Sequence, residues 1–218
     1  HKTVSEGGEE SHCYYAMFDP DHPREPIRID RFPIASTTIY ALMQPLMSDI
    51  NRDIALSKKL FQMEFLSSTL NQVVVTMIYH RQLDDEWKLS ANKLENRYGI
   101  SIIGRARKQK IVLSKDYVKE KLVVQERDFF YEQKENSFTQ PNAAVNTKMI
   151  AWCCDYLNTS GELRPALLEM YCGNGNFTIP LARYFEKVLA TEVAKTSIAS
   201  AKNNCIACLL YTSPSPRD

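Results

Sequence analysis

The stretch "LLEMYCGNGNF", Leu167–Phe177, constrains the fold more than any other part of the chain. An apolar run breaks there into two glycines one residue apart, and an amphipathic segment follows. This is the pattern of a buried strand, a tight turn and a helix. The flanking segments keep the alternation going. Helices are predicted over Ala143–Leu157, Phe177–Phe185 and Ala194–Ala207, and strands over Leu167–Tyr171 and Val188–Thr191. Strand–helix alternation of this kind specifies a parallel, doubly wound α/β sheet.

Gly173 and Gly175 let the backbone turn sharply and let a ligand approach without a Cβ in the way. A helix beginning near Asn176 is expected to direct free N–H groups at such a ligand. The dinucleotide pattern of three glycines fails, because residue 178 is Thr. An NAD-dependent oxidoreductase is therefore disfavoured. Glu192 follows the second strand directly, where a carboxylate can accept both hydroxyls of a ribose. With Glu169 ahead of the turn, the set suits S-adenosyl-L-methionine, which has a ribose and an amino-acid end but no pyrophosphate. A glycine cap with no ligand is the alternative.

The first part of the chain has a different rhythm. Tyr14–Phe18 and Ile27–Ile29 read as a hairpin around "DPDHPREP". Ser36 has the character of an N-cap. Ile39, Leu42, Met43, Leu46, Met47 and Ile50 then form a helical stripe, which Pro45 is expected to kink or divide. "FQMEFLSS" and "NQVVVTMIYH" read as antiparallel strands, "LDDEWKLSANKLENRYG" as a helix closed near Gly99, and "ISIIGRA", "KIVLS" and "DFFYEQ" as further strands. A boundary is placed near residue 140. An α+β domain, N-terminally incomplete, occupies 1–140 and the first βα units occupy 141–208. Residues 209–218, which include "YTSPSPRD", fit neither pattern and are read as a non-native tail on a truncated chain.

With 44% apolar and 24% charged residues the composition is that of a soluble domain, and no apolar run reaches the length of a membrane span. His1–Ser11 is polar and acidic, unlike a secretory leader, and the missing initiator Met suggests a start inside a longer reading frame. The six cysteines do not suggest a secreted disulfide framework, so reduced thiols and a cytoplasmic location are expected. A monomer is also expected. Cys205-x-x-Cys208 has the spacing of half a zinc site but lacks a second pair, and no metal is assigned. Between Gly104 and Lys121 seven basic residues (Arg105, Arg107, Lys108, Lys110, Lys115, Lys119, Lys121) stand against Asp116 and Glu120. Such a run is either a solvated face or a phosphate-contacting stripe.

"ENSFTQPNAAVN", "LLEMYCGNGNFTIPLAR" and "VLATEVAKTSIASA", together with "RIDRFPIAS", "LSSTLNQVVVTMIYHRQLDDEW" and "IGRARKQKI", closely resemble the bacterial tRNA (uracil-5-)-methyltransferases. The resemblance runs from about residue 14 to about 208. It implies an α+β RNA-recognition domain followed by the start of a Rossmann-like, S-adenosylmethionine-dependent methyltransferase domain. The implied reaction is methylation of C5 of the T-loop uridine in tRNA, with the T-arm as partner. A ribosomal RNA substrate or a non-catalytic RNA-binding module are the alternatives. By the same resemblance Gln140, Tyr171, Gly173, Gly175, Asn176 and Glu192 are expected to contact the cofactor. Phe61, His80, Arg105 and Lys108 are expected to contact RNA, although Phe61 alone would read as core and His80 as plain surface.

Enzymes of this class add a cysteine thiolate to C6 of uracil, and a base later removes the C5 proton. In the family those two residues and another cofactor-binding Asp sit in later segments, a "DPPR" stretch, an "SCNP" stretch and a C-terminal Glu, none of which occurs here. No catalytic residue is assigned, Cys172 belongs to the turn, and the chain alone is expected to be inactive.

Overall fold

The computed structural model describes residues 2–3, 12–22, 25–159 and 161–208. They fall into two compact units, one of residues up to Ser67 with Asn71–Asp116, the other of Ser68–Leu70 with everything from Tyr117. The tail 209–218 and part of the "DPDHPREP" turn lie outside the described residues.

In the first unit, helix α1 (Thr37–Asn51) starts where the Ser36 hydroxyl accepts the Ile39 N–H at 3.3 Å. Pro45 lies inside α1, yet the helix is not divided. Its buried stripe of Leu42, Met43, Leu46, Met47 and Ile50 anchors it to the core despite the lost backbone donor. A short α2 (Ile54–Ser57), not foreseen from sequence, follows with Asp53 as its cap. The sheet contains β1 (Lys2–Thr3), β2 (Tyr15–Phe18), β3 (Pro26–Arg28), β4 (Leu60–Ser67), β5 (Val73–Tyr79), β6 (Ser101–Ala106) and β7 (Gln109–Val112). Its order is β3-β2-β1-β4-β5-β6-β7.

All of these pairings are antiparallel except β5 with β6, which α3 (Asp85–Tyr98) connects as a βαβ crossover. Helix α3 carries both kinds of end signal. Asp84 accepts the Trp87 N–H at 2.8 Å, and Gly99 closes the last turn at φ +62. Strand β5, central and nearly continuously apolar, is buried along almost its whole length, and Trp87 of α3 is completely enclosed.

In the second unit, β8 (Tyr117–Val124) and β9 (Arg127–Lys134) form a hairpin. Its two turn residues, Gln125 and Glu126, both have positive φ, the conformation that a two-residue turn needs to match strand twist. Helix α4 (Ala143–Leu157) is capped by Asn142, which accepts the Val145 N–H at 3.0 Å. The parallel strands β10 (Arg164–Met170) and β11 (Phe185–Thr191) follow, joined through α5 (Thr178–Leu181) and a 3-10 turn (Ala182–Tyr184), and α6 (Lys195–Ala207) closes the described chain.

Two expectations are corrected here. The helix read over Phe177–Phe185 is only one α-turn and one 3-10 turn, because the β-prone "FEKVLAT" begins a strand at Phe185. The boundary is not near 140 but between Asp116 and Tyr117. Leu122, Val124, Phe129 and Tyr131 of the hairpin share one core with Ile150 and Cys154 of α4 and Cys205 of α6. Residues 68–70 belong to the same unit, where the Thr69 N–H donates to the buried Glu120 carboxylate at 2.8 Å.

A Cβ built on Gly104 would lie 2.4 Å from Cη2 of Trp87 and 2.5 Å from Cδ1 of Leu83, both side chains of the sealed core. Gly104→Ala is therefore expected to destabilise the first unit by about 1–3 kcal/mol, the usual cost of overpacking. Urea unfolding with an unchanged midpoint would contradict this.

Candidate cofactor site

The carboxyl ends of β10 and β11 lie side by side, with Glu169 paired to Ala190 and Met170 to Thr191. In open α/β sheets such strand ends, with the loops that leave them, form the ligand crevice. The chain leaves β10 through Tyr171 at φ +58 and then Gly173 and Gly175 at φ +59 and +85. The Cys172 N–H bonds to the Thr191 carbonyl at 3.0 Å, which ties the turn to the neighbouring strand. A Cβ on Gly173 would meet nothing within 4 Å, so this glycine faces open space. One on Gly175 would press on Ile179 at 3.1 Å. The two glycines therefore differ: Gly173 leaves room for a ligand, and Gly175 lets α5 pack close.

Glu192 holds the turn from the far side. One carboxylate oxygen accepts the Gly173 N–H at 2.9 Å, and the other accepts the Val193 and Ala194 N–H groups at 2.7 and 2.8 Å. These backbone donors draw its pKa below the ordinary glutamate value. Ala194, the residue before α6, makes no side-chain cap bond, and Glu192 instead fixes the Val193 and Ala194 N–H groups that lead into the helix. The expectation of a free ribose acceptor needs this amendment: the carboxylate already accepts three bonds and retains only part of its acceptor capacity. Glu169 turns inward to the Thr178 hydroxyl, and burial raises its pKa.

Asn176 is held as firmly. Its side-chain amide and that of Asn146 on α4 bond reciprocally at 2.8 and 2.9 Å, and Asn146 is buried. The Tyr131 hydroxyl donates to the Asn176 carbonyl at 3.1 Å. Asn204 of α6 donates to the Asn174 carbonyl at 2.9 Å and accepts the Glu132 N–H at 2.7 Å. Asn146, Tyr131 and Asn204 were not singled out from sequence. Asn146 could have been found as a polar residue four positions before Ile150 and eight before Cys154, on the apolar stripe of α4. Tyr171 projects outward, 82% exposed. Gln140 is half-buried in the segment entering α4, the helix that touches the turn through Asn146. Cys172 is buried and its thiol is pushed up to about 11, chiefly by burial and then by Glu169 and Glu192.

In the first unit, Phe61 and His80 come together. Their rings stack at 4.1 Å between centroids with 21° between planes. The pairing of β4 with β5 shifts register between Leu60 and Gln62, so Phe61 is the extra residue of a bulge that re-aims its side chain. Phe61 is half-buried rather than core, and His80 is exposed as its plain-surface reading has it, with the ring stack added. Arg105 lies on β6 and Lys108, at φ +60, in the turn between β6 and β7. The basic run is not one stripe, since Lys119 and Lys121 lie on β8 in the other unit. Among the described residues no three His, Cys, Asp or Glu side chains gather as a metal site, and no helix is long and apolar enough to cross a membrane.

A family model described as tRNA (Uracil-5-)-methyltransferase matches residues 6–210. The chain belongs to this family. It is 50% identical to the tRNA/tmRNA (uracil-C(5))-methyltransferase of Chromohalobacter salexigens over 195 residues, covering 88% of this chain and 52% of that protein. It is also 50% identical to that of Pseudomonas fluorescens over 199 residues, covering 91% and 54%. The chain thus spans about half the length of the curated relatives it matches. Its fold is similar to the crystal structure of Pyrococcus abyssi tRNA (uracil-54, C5)-methyltransferase in complex with S-adenosyl-L-homocysteine. That match has a TM-score of 0.64 at 21% identity and covers 89% of this chain and 50% of that one.

The Glu192 geometry fixes a pH signature. Its pKa is depressed in the folded state, so its contribution is complete above the unfolded value, ordinarily 4.5, and is lost as pH falls through the lower folded value. Glu192→Gln is expected to lower stability at pH 7, with the gap from the parent chain closing below about pH 4.5. A gap that stays constant down to pH 3 would show that the charge contributes nothing.

Proposed function

We propose that this chain carries the RNA-binding part and the first half of the cofactor site of an S-adenosylmethionine-dependent methyltransferase acting on C5 of the T-loop uridine of tRNA. Membership of the tRNA (uracil-5-)-methyltransferase family over residues 6–210 carries this reading. The turn geometry supports it. Tyr171 offers an exposed ring to the cofactor, Gly173 an open backbone approach and Glu192 its remaining acceptor capacity to the ribose. The Asn146–Asn176 pair makes Asn176 a support for the turn, and Gln140 enters from the segment before α4. The short α5 offers little of the N-terminal field that a pyrophosphate requires, which agrees with a cofactor that has none. When bound, the cofactor supplies an electrophilic methyl on a sulfonium.

A uridine in a folded loop must leave its stack before C5 is reachable, and the Phe61–His80 pair offers a flat aromatic surface for a displaced base. No cysteine described here has the character of the C6 nucleophile. Burial raises the pKa of Cys13, Cys153, Cys172, Cys205 and Cys208, and Cys154 is enclosed in the core. The chain by itself therefore prepares the two substrates and does not join them.

Calorimetry should detect S-adenosylhomocysteine binding, weakened by Tyr171→Ala, and no heat with NAD. Incubation with unmodified tRNA and labelled S-adenosylmethionine should give no methyl incorporation above a blank. Binding of NAD in place of S-adenosylhomocysteine would overturn the cofactor assignment, and incorporation would overturn the claim of inactivity.

A further inference from the structure

One end of the first unit's sheet gathers basic residues from three separate chain segments. Strand β4 starts there, β5 ends there, and β6 runs parallel to β5 and so reaches its turn at the same end. Across that end stand Lys58–Lys59, then His80–Arg81, then Arg107–Lys108. His80 is flanked on both sides, and the two outer corners are about 10 Å apart, two strand spacings.

Hydrogen bonds fix this arrangement. The His80 N–H bonds to the Lys59 carbonyl at 3.0 Å. Gln82 donates its side-chain amide to the Arg107 carbonyl at 2.9 Å. Gln109 accepts the Leu83 N–H at 2.8 Å and donates to the Leu83 carbonyl at 2.9 Å, which binds the β6–β7 turn to the segment after His80. Lys58, Lys59, His80, Arg107 and Lys108 are exposed.

Arg81 is different. Its guanidinium side chain is 15% exposed and is directed at the Ala55, Lys58 and Gln82 carbonyls and Asp84. The acids nearest in sequence are engaged: Asp53 and Asp84 cap α2 and α3, and Asp85 pairs with Lys88 at 2.7 Å, while Glu86 sits in the first turn of α3.

We propose that this sheet end is a ledge for the sugar-phosphate backbone of a looped RNA strand, with Lys58 and Lys59 holding it on one side and Arg107 and Lys108 on the other. The Phe61–His80 rings between the two corners take a base, and Arg81 supports the ledge from within without touching RNA. The proposal rests on the RNA reading above. It adds the Lys58–Lys59 corner and Arg107, and it specifies the path of the strand over the rings.

The test is fluorescence anisotropy of a labelled, unmodified T-arm RNA hairpin with the full chain over a series of KCl concentrations. Neutralising a phosphate contact lowers the slope of log K against log salt by about 0.7–0.9 per charge. Lys59→Gln and Arg107→Gln should each lower the slope by that amount and together by about twice as much. Lys93→Gln, on α3, should leave it unchanged. Phe61→Leu should weaken binding about tenfold at every salt concentration without altering the slope, as loss of one stacked base predicts. Tight, salt-dependent binding with unchanged slopes in Lys59→Gln and Arg107→Gln would overturn the ledge and leave the RNA reading standing. Absence of binding by the unsubstituted chain at low salt would remove both.

Discussion

The Glu192 carboxylate joins the parts of the second unit that a ligand turn requires. It binds the N–H of Gly173 in the loop after β10 and the N–H groups of Val193 and Ala194 just ahead of α6, while its own backbone directly follows β11. A strand, a turn and a helix thus meet at a single charge. Backbone N–H groups at such a junction lack partners within the helix, and leaving them unpaired would cost more than the bonds gain. The acid after the second strand is therefore a structural residue before any ligand arrives. Asn146, Tyr131 and Asn204 complete the grip from the other side, so every loop residue from Gly173 to Asn176 rests on a defined neighbour or faces open space by design of the turn.

Much of this was legible in the sequence, for identifiable reasons. Helix α4 has the predicted ends Ala143 and Leu157, α1 starts at the Ser36 cap and α3 closes at Gly99, because capping is local chemistry. Strand β8 was missed although it alternates cleanly. Its buried positions include Glu120 among Val118, Leu122 and Val124, and its outward residues Lys119 and Lys121 made the segment read as a charge run. The domain boundary was misplaced for a related reason. The hairpin's apolar face is satisfied by α4 and α6, partners distant in sequence. At the candidate sites, residue types were readable but pairings were not. Nothing in the spacing of Phe61 and His80 announces a stack made by a bulge, and Asn176 shows no sign of its reciprocal bond to Asn146.

The two units present complementary chemistry. The first offers a stacked ring pair amid exposed cations, and the second offers glycine-shaped space, an outward tyrosine and an engaged carboxylate. The family match extends across both, from residue 6 to residue 210. The thiols add a further contrast. They are abundant for a chain of this size, yet burial raises the pKa of Cys13, Cys153, Cys172, Cys205 and Cys208, and Cys154 is a packing group of the core.

The chain has two tryptophans, one in each unit, and their surroundings are opposite. Trp87 is sealed between α3 and the sheet, with Tyr79 edge-on at 6.0 Å, whereas Trp152 stands 70% exposed on α4 and stacks on Tyr156. Emission from the first reports the loss of a dry environment, and emission from the second is already that of a wetted indole. The blue component of the intrinsic fluorescence therefore belongs to the first unit alone. Its unfolding can be followed in the intact chain without a label, while a quencher in solution reaches the other unit's indole selectively.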